Sequence, residues 1–568
     1  MDAPLFFHIS PDWCGEGRLA RLFRRNGHAA VCHDAGRLAE DILFSMASGG
    51  DALRHWPGTV LFSGLYRNIP HWRPPLEAWR HFGWLAERFP QARFILTVRR
   101  PEDWILDRLT RDGGAAAACH AYHRGCDTAD LPDLWEADWH AHLAAVDAFF
   151  GDDPRLVRVD LDRETPSDVA ARLHPVLPLP DPGWQQGWFP EAEGKAPDLS
   201  RLLDRIPAEQ VDEAYADQVA TFCLRGIDPG AGRGGGHSEY SSDWDGGTRV
   251  TDRKGGVRRM TVLPGQGAVS APDRHFKLIR AEGVINDALR LGRPMPLRID
   301  MEDSRWFGSP QGDPLSAPVL CHNRRAGARN AVLWPLPGQH DIGLPGFDPG
   351  AAPDPIPWED KRDQVVWRGM ISGSEMRDGV RPGPASHVIL RDLAQAGDDP
   401  APRQADWDRL CNTNRLAFVR RWWGHPDFDL GVVMAWGYRQ FASDPLLAPY
   451  CTPRRDRAFF HRFRYQLCLT GYDHGSNFIG AIDGQSVLLK EEDGWEVFYS
   501  DRFQPWKHYI PLQRYCGDVA EKLAWARKNP QACKAMAAAA RAEAAALRRP
   551  ATRRAIMARI LDGLAAAG

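Results

Sequence analysis

The stretch FFHISPDWCGEGRLARLFRRNGH, residues 6–28, sets a short apolar strand (5–9) before a basic helical segment (18–27), with a loop between them. In α/β proteins that layout lets backbone N–H groups and a helix N-terminus hold a phosphate. Such loops carry a lysine or arginine to meet the anion. This one offers Asp12, Trp13 and Glu16 instead. The stretch therefore announces an α/β fold while leaving open where the chemistry sits.

Working outward, strand-like and helix-like runs alternate from residue 5 to about 180. The runs FILTV (94–98) and LVRV (156–159) read as buried strands, and 76–88 and 134–150 as helices. That alternation predicts a parallel sheet flanked by helices. Between 229 and 267 the composition shifts to Gly, Ser, Asp and Arg. GAGRGGG (230–236) contains GxGxxG but lacks a strand before it and a helix after it, so it reads as linker. A second α/β region begins near 276. Its strand candidates are 297–299, 331–334, 364–367 and 486–489, with an apolar segment at 463–469 and helices at 385–394 and 518–528. The Ala-rich tail, 531–567, reads as a helix packed across a domain surface, because its basic residues are interleaved with Ala and Glu. The other reading is an amphipathic helix lying on a membrane.

A chain of 568 residues exceeds one hydrophobic core, so several domains are expected. A formal net charge of −3 argues against a general nucleic-acid binder. The 22 Trp suit either sugar stacking or ordinary core packing. The 11 Cys form no CxxC pair, which fits reduced thiols in a cytosol. No basic segment followed by an apolar one opens the chain, and no window approaches 18 apolar residues. Neither a signal peptide nor a membrane span is expected.

Residues 6–28 together with RFILTVRRPEDWILDRL (93–109) resemble the sulfotransferase fold over roughly residues 5–180. The resemblance implies a first loop that grips a 5′-phosphosulfate and a second motif that supplies an arginine and a serine to a 3′-phosphate. Arg99 is retained. Trp13 stands in place of the basic residue, Glu16 and Gly17 in place of hydroxyl residues, and Asp107 in place of the serine. Carboxylates repel phosphate, and loss of the cation removes the charge-assisted bonds on which such sites rest. An inactive domain is expected. Arg99, Arg100 and Arg108 then form either a solvated basic helix start or a site for another anion.

Three further segments are LRIDMEDSRWFG (297–308), PWEDKRDQVVWRGMISG (357–373), and YQLCLTGYDHGSNFIGAIDGQSVLLK with EVFYSDRFQPWKHYIPL (465–512). In order and content they resemble glycosyltransferase family 90, from about 277 to 529. That family includes protein O-glucosyltransferases, capsule xylosyltransferases and lipopolysaccharide-modifying enzymes. The resemblance implies two facing Rossmann-like domains (the GT-B arrangement), a UDP-sugar donor, inversion at the anomeric carbon and no metal or other cofactor.

Those roles fit the residues. Inverting transfer needs a carboxylate to take the acceptor's proton and positive charge or N–H dipoles at the departing diphosphate. Asp303 stands in the family's position for the base; otherwise DMEDS is a helix-capping acidic turn. Arg368, followed by Gly369, ends a strand, where an arginine can fork onto diphosphate oxygens. Its other reading is an ion pair with Asp360 or Asp363. Ser372 and Arg377 are candidates in the same loop. In GYDHGSN (471–477), Gly471, Asp473, Gly475, Ser476 and Asn477 offer a backbone nest for the diphosphate. Many relatives carry an arginine near 477. Glu496 is placed on the ribose hydroxyls or read as a solvated loop acid. Trp506, Lys507 and His508 help shape the site. A metal reading competes weakly, through Asp300–Glu302–Asp303, Asp160–Asp162, or Cys119, His120, His123 and Cys126.

The expected organisation is an inactive sulfotransferase-like domain (1–185), a connecting region (186–270), an acceptor-side Rossmann-like domain (271–410), a UDP-sugar-binding one (411–545) and a terminal helix (546–568). The expected function is a cytoplasmic, metal-independent, inverting UDP-sugar glycosyltransferase. Its acceptor would be a surface-polysaccharide or lipopolysaccharide precursor, with peripheral membrane association as an option. A non-catalytic binding protein and an active sulfotransferase are the alternatives.

Overall fold

The computed structural model describes residues 4–68, 73–183, 188, 210–228, 240–242, 249–252, 257–263, 267–270, 276–397 and 399–567. The chain forms a mixed α/β structure in two compact units. One holds Met1–Ala208 with Tyr240–Leu297; the other holds Glu209–Glu239 with Arg298–Gly568.

The first unit is built on a parallel sheet of β1 (Phe6–His8), β2 (Ala30–Cys32), β3 (Leu61–Ser63), β4 (Arg93–Val98) and β5 (Leu156–Asp160), in the order β2-β3-β1-β4-β5. β4 is buried on both faces and reads as a continuous apolar run, as a central parallel strand must. Helix α1 (Glu16–Arg25) turns Leu19, Ala20, Leu22 and Phe23 onto the sheet and ends where the Arg24 side chain donates to the Ala30 carbonyl. Residues expected as helix at 76–88 begin instead as a strand, Leu76–Glu77, paired with Tyr66–Arg67; the helix proper is Phe82–Arg88. The expected connecting region carries antiparallel strands Tyr240–Ser242, Arg249–Asp252, Val257–Leu263 and Gly267–Ser270, which join this unit. The GAGRGGG stretch lies outside the described residues.

The second unit has two parallel sheets. The first is β6 (Leu297–Asp300), β7 (Val319–Cys321) and β8 (Ala331–Leu333). The second is β9 (Arg362–Gly369), β10 (Phe428–Val432), β11 (Phe463–Cys468), β12 (Val487–Glu491) and β13 (Ile510–Leu512), in the order β10-β9-β11-β12-β13. β9 is thus an inner strand of the C-terminal sheet. The expected boundary at 410/411 cuts that sheet, because parallel strands pair through crossovers rather than with their chain neighbours. The lysine of PWEDK anchors the start of β9: Lys361 is fully buried and donates to Asp354 at 2.7 Å and to the His461 carbonyl. The tail forms two helices, Pro530–Leu547 and Pro550–Ala567, the second packed on helix Glu213–Leu224. No helix among the described residues is long and apolar enough to cross a membrane.

Trp79, Trp104, Trp135, Trp188 and Trp334 are among the largest fully buried side chains, so much of the tryptophan load builds cores. In the first unit Trp104 and Trp135 flank Arg108, whose guanidinium carbon lies 4.5 and 4.7 Å from their ring centres. Arg108 is fully buried and donates to Asp12 Oδ1 at 2.5 Å and to Glu77 Oε1 at 2.7 Å. Burial alone would raise the Glu77 carboxyl, but Arg80 and Arg108 hold it below the usual range. Arg108→Ala strands two buried carboxylates and is expected to cost about 3–5 kcal/mol. Urea denaturation followed by Trp fluorescence checks this; a loss near that of an exposed pair, below about 1 kcal/mol, would contradict it.

Candidate active site

Chain order fixes where a crevice opens in the C-terminal sheet. From β9 the chain passes outward to β10, then returns across β9 to β11 and continues to β12 and β13. The direction of winding reverses between β9 and β11. In open α/β sheets ligands bind at such a switch point, beyond the strands' C-terminal ends. The loops there are 370–373, after β9, and 469–477, after β11.

A residue that sequence reasoning missed ties these loops together. Arg415, in the first turn of α2 (Asn414–Trp422), donates to the carbonyls of Met370 (3.1 Å), Leu469 (2.9 Å) and Thr470 (3.1 Å), and to Ser372 Oγ (2.5 Å). Its partners are neutral oxygens, and among the described residues no carboxylate stands within 4 Å. Burial lowers its pKa, yet an arginine keeps its charge. The crevice floor is therefore a cation with no carboxylate in direct contact; Glu491 and Asp473 act on it only from farther off. Gly471 allows the approach: a Cβ there would lie 3.0 Å from Arg415 Nη2. At Gly475 a Cβ would lie 2.5 Å from Cys468 Sγ.

Asp303 follows β6 and its side chain is half exposed. Its loop docks on the β11 loop: Ser304 N–H donates to Asp473 Oδ2 at 3.2 Å, and Ser304 Oγ to the Tyr472 carbonyl at 2.6 Å. His322, buried just after β7, sits between the two acids, with Nε2 3.7 Å from Asp303 Oδ1 and 3.5 Å from Asp473 Oδ2. One atom from each of Asp303, His322 and Asp473 lies within 4.8 Å of the others, a spacing that suits a divalent cation. Behind them His474 is buried against Phe478 and Tyr499, and burial pushes its pKa well down.

Beside these loops a cavity of about 180 Å³ is lined by Trp306, Arg325, Tyr472, Trp495, Arg514 and Tyr515, among others. Trp306 and Trp495 meet edge to face at 5.4 Å, and Arg325 lies within 5.0 Å of both rings. A second cavity, about 510 Å³, shares Asn414, Arg514 and Tyr515 with the first. Glu491 at the end of β12 accepts the N–H groups of Thr470 (2.9 Å) and Tyr515 (2.8 Å), holding these walls together.

The expected site residues divide into two groups. Asp303, Ser372, Gly471 and Asp473 gather at the crevice. Arg368 does not join them through its contacts: its guanidinium pairs with Asp429 and donates to the carbonyls of Trp367 (2.9 Å) and Asp429 (2.7 Å). Its carboxylate partner is Asp429 rather than Asp360 or Asp363. Gly369 closes β9, its carbonyl accepting from Val433 N–H at 2.9 Å. Arg377 pairs with Glu375 at 3.2 Å and is largely exposed. Ser476 is exposed, and Asn477 donates to the Leu467 carbonyl at 3.0 Å. Both oxygens of Glu496 are engaged, one by Arg225 and the other by Arg324 at 2.9 Å. Trp506 packs on Trp525, and His508 accepts the Gln504 N–H.

The other proposed metal sets serve local structure. Asp300 binds Arg305 at 2.7 Å, Asp162 accepts the Arg100 N–H at 2.7 Å, and His120 bonds Asn68 at 3.1 Å. In the N-terminal loop Asp12 is held by Arg108 and Asn68, Glu16 accepts from Trp13 N–H and Tyr66 Oη, and Asp107 pairs with Arg99 at 2.6 Å.

Residues 454–546 match the family model of glycosyl transferase family 90. The chain is 32% identical to protein O-glucosyltransferase 3 of Mus musculus over 78 residues, which is 14% of this chain and 16% of that protein. It is 22% identical to the O-glucosyltransferase LpsA of Dichelobacter nodosus over 185 residues, 32% of this chain and 43% of that protein. An uncharacterized protein of Frog virus 3, 027R, is 30% identical over 198 residues, 33% of this chain and 18% of the viral one. The chain thus spans only about a sixth of the length of the mammalian relatives it matches. Residues 454–546, which supply β11 to β13 and one wall of the crevice, are a glycosyl transferase family 90 domain.

Proposed function

We propose that this chain is an inverting glycosyltransferase that moves a sugar from a UDP-sugar to a hydroxyl of a glycan acceptor, a surface-polysaccharide or lipopolysaccharide precursor, in the cytoplasm. The observation that carries this reading is Arg415, buried with no carboxylate in contact among the described residues, at the switch point of a family 90 sheet, with the loop of Asp303 docked on the β11 loop through Ser304. The two parallel sheets of the second unit serve as the facing halves of a GT-B enzyme. The diphosphate occupies the crevice above Arg415 and the Gly471 loop. The aromatic wall of Trp306 and Trp495 takes sugar faces.

In the transfer step the acceptor oxygen attacks the anomeric carbon as its proton passes to the Asp303 carboxylate. The bond from that carbon to the β-phosphate oxygen breaks, and UDP leaves with the electron pair. One displacement inverts the configuration. Arg415 and the loop N–H groups meet the charge that develops on the diphosphate. His322, held between Asp303 and Asp473, keeps the base aimed. The first unit is structural: the loop that resembles a phosphosulfate site places its own carboxylates, Asp12 and Glu16, where an anion would bind.

The direct test is incubation with a panel of UDP-sugars, scoring release of UDP, which needs no acceptor. Slow hydrolysis of at least one is expected. No release together with no thermal stabilisation by millimolar UDP would overturn the reading, since a ligand of the folded state must stabilise it.

Two substitutions separate base from donor site. Asp303→Asn is expected to leave UDP affinity nearly intact while lowering turnover by roughly 10²–10⁴-fold. Arg415→Lys keeps the charge but loses the fork, and is expected to weaken UDP by about 1.5–3 kcal/mol. Arg368→Lys is expected to change UDP binding by less than about 0.5 kcal/mol. Calorimetric titration checks all three; Arg368→Lys weakening UDP as much as Arg415→Lys would return the diphosphate to Arg368.

Activity is expected to survive EDTA, because Arg415 and backbone amides carry the diphosphate charge. Loss in EDTA with rescue by Mn²⁺ would assign a cation to Asp303, His322 and Asp473.

A further inference from the structure

The segment YCTPRRDRAFFHRFR, residues 450–464, is basic and aromatic, and the proposed transfer makes no use of its exposed arginines. It runs through a loop into helix α3 (Arg457–His461) and on into β11. Arg454, Arg455, Asp456, Ala458, Phe459 and Arg462 line a concavity of about 420 Å³. None of these residues lines the two cavities beside the strand-end crevice.

The charge here is unbalanced. Three arginines enter the concavity against one acid, and that acid, Asp456, is turned to the helix end, where Oδ1 accepts the Phe459 N–H at 3.0 Å. Among the described residues no carboxylate lies within 4 Å of Arg454, Arg455 or Arg462. Neighbouring arginines behave differently: Arg457 pairs with Asp483, Arg464 lies 3.8 Å from Asp363, and Arg368 pairs with Asp429. Two of the concavity's arginines are instead drawn to a ring. The guanidinium carbons of Arg455 and Arg462 lie 5.2 and 4.6 Å from the Phe459 ring centre, and the paired Arg368 lies 5.0 Å from it. A π face attracts cations but leaves N–H groups open to a third party; among the described residues Arg462 donates only its Nε–H, to the Phe459 carbonyl at 3.3 Å. Convergent guanidiniums repel one another until an anion joins them, and a concave wall of one sign concentrates counter-ions. Phosphate oxygens match the guanidinium fork bidentately.

The geometry points to a second anion site, formed by Arg454, Arg455 and Arg462 around Phe459, that binds a phosphate ester group. Such a group arrives either on a soluble phosphorylated molecule or on an anionic lipid headgroup, and both present the same oxygens to the same forks.

The experiment uses the full chain, the variant Arg455→Gln/Arg462→Gln, and a control, Arg439→Gln/Arg554→Gln, that removes the same charge elsewhere. Melting curves establish that all three are folded. One arm titrates inorganic pyrophosphate by calorimetry with UDP present, so that the crevice is already filled. The other floats the protein with phosphatidylcholine vesicles with or without phosphatidylglycerol. The wild type and control are expected to bind one or both anionic probes, and Arg455→Gln/Arg462→Gln to bind about ten- to a hundredfold more weakly. Pyrophosphate binding without flotation identifies a soluble phosphate ester, and flotation without pyrophosphate binding identifies a lipid headgroup. Failure of the wild type to bind either probe, or equal loss in variant and control, overturns the site. Neither result bears on UDP-sugar transfer, which is read separately.

Discussion

The crevice of the C-terminal sheet depends on one buried cation. Arg415 reaches from α2 to four oxygens on the ends of β9 and β11, and so sets the separation of the two loops that a ligand would enter. Burying a guanidinium is costly unless it is hydrogen-bonded and its charge is met. Here the bonds are made to neutral oxygens, and among the described residues no carboxylate lies within 4 Å. Other buried cations of the chain look different: Lys361, Arg108 and Arg368 each hold a carboxylate. That contrast is the physical ground for reading the crevice as an anion site.

The two units treat buried charge in opposite ways. In the first, the loop after β1 satisfies itself. Asp12 meets Arg108 and Asn68, Glu16 meets Tyr66, and Arg99 meets Asp107. A phosphate entering there would have to displace an internal carboxylate that is already bonded. In the second, the corresponding strand-end loops bond Arg415 through neutral oxygens alone, and the β11 loop brings Asp473 against His322, which also meets Asp303.

Much of this was legible in the sequence, and the failures have physical causes. Apolar runs marked β4, β9, β11 and β12, since strands buried on both faces cannot hide among polar residues. Asp303, Ser372, Gly471 and Asp473 were singled out and meet at one crevice. Arg368 was singled out because it ends a strand, but sequence does not say which way a side chain turns, and Asp429 on the neighbouring strand captures it. Arg415 was missed because TNRLAFVRRW (413–422) reads as an ordinary amphipathic helix start. The one available signal was an arginine in a first turn, where the helix dipole disfavours a cation unless something else requires it. The boundary at 410 failed because strand pairing in a parallel sheet is non-local.

The central claim is that UDP is held where β9 and β11 part, above Arg415. Hydrogen–deuterium exchange with and without UDP tests this most directly, because loops that close on a ligand gain protection. Protection is predicted in peptides spanning 369–377, 413–416 and 469–477, with residues 8–17 unchanged. Protection confined to 8–17, or absent throughout at saturating UDP, would contradict the account.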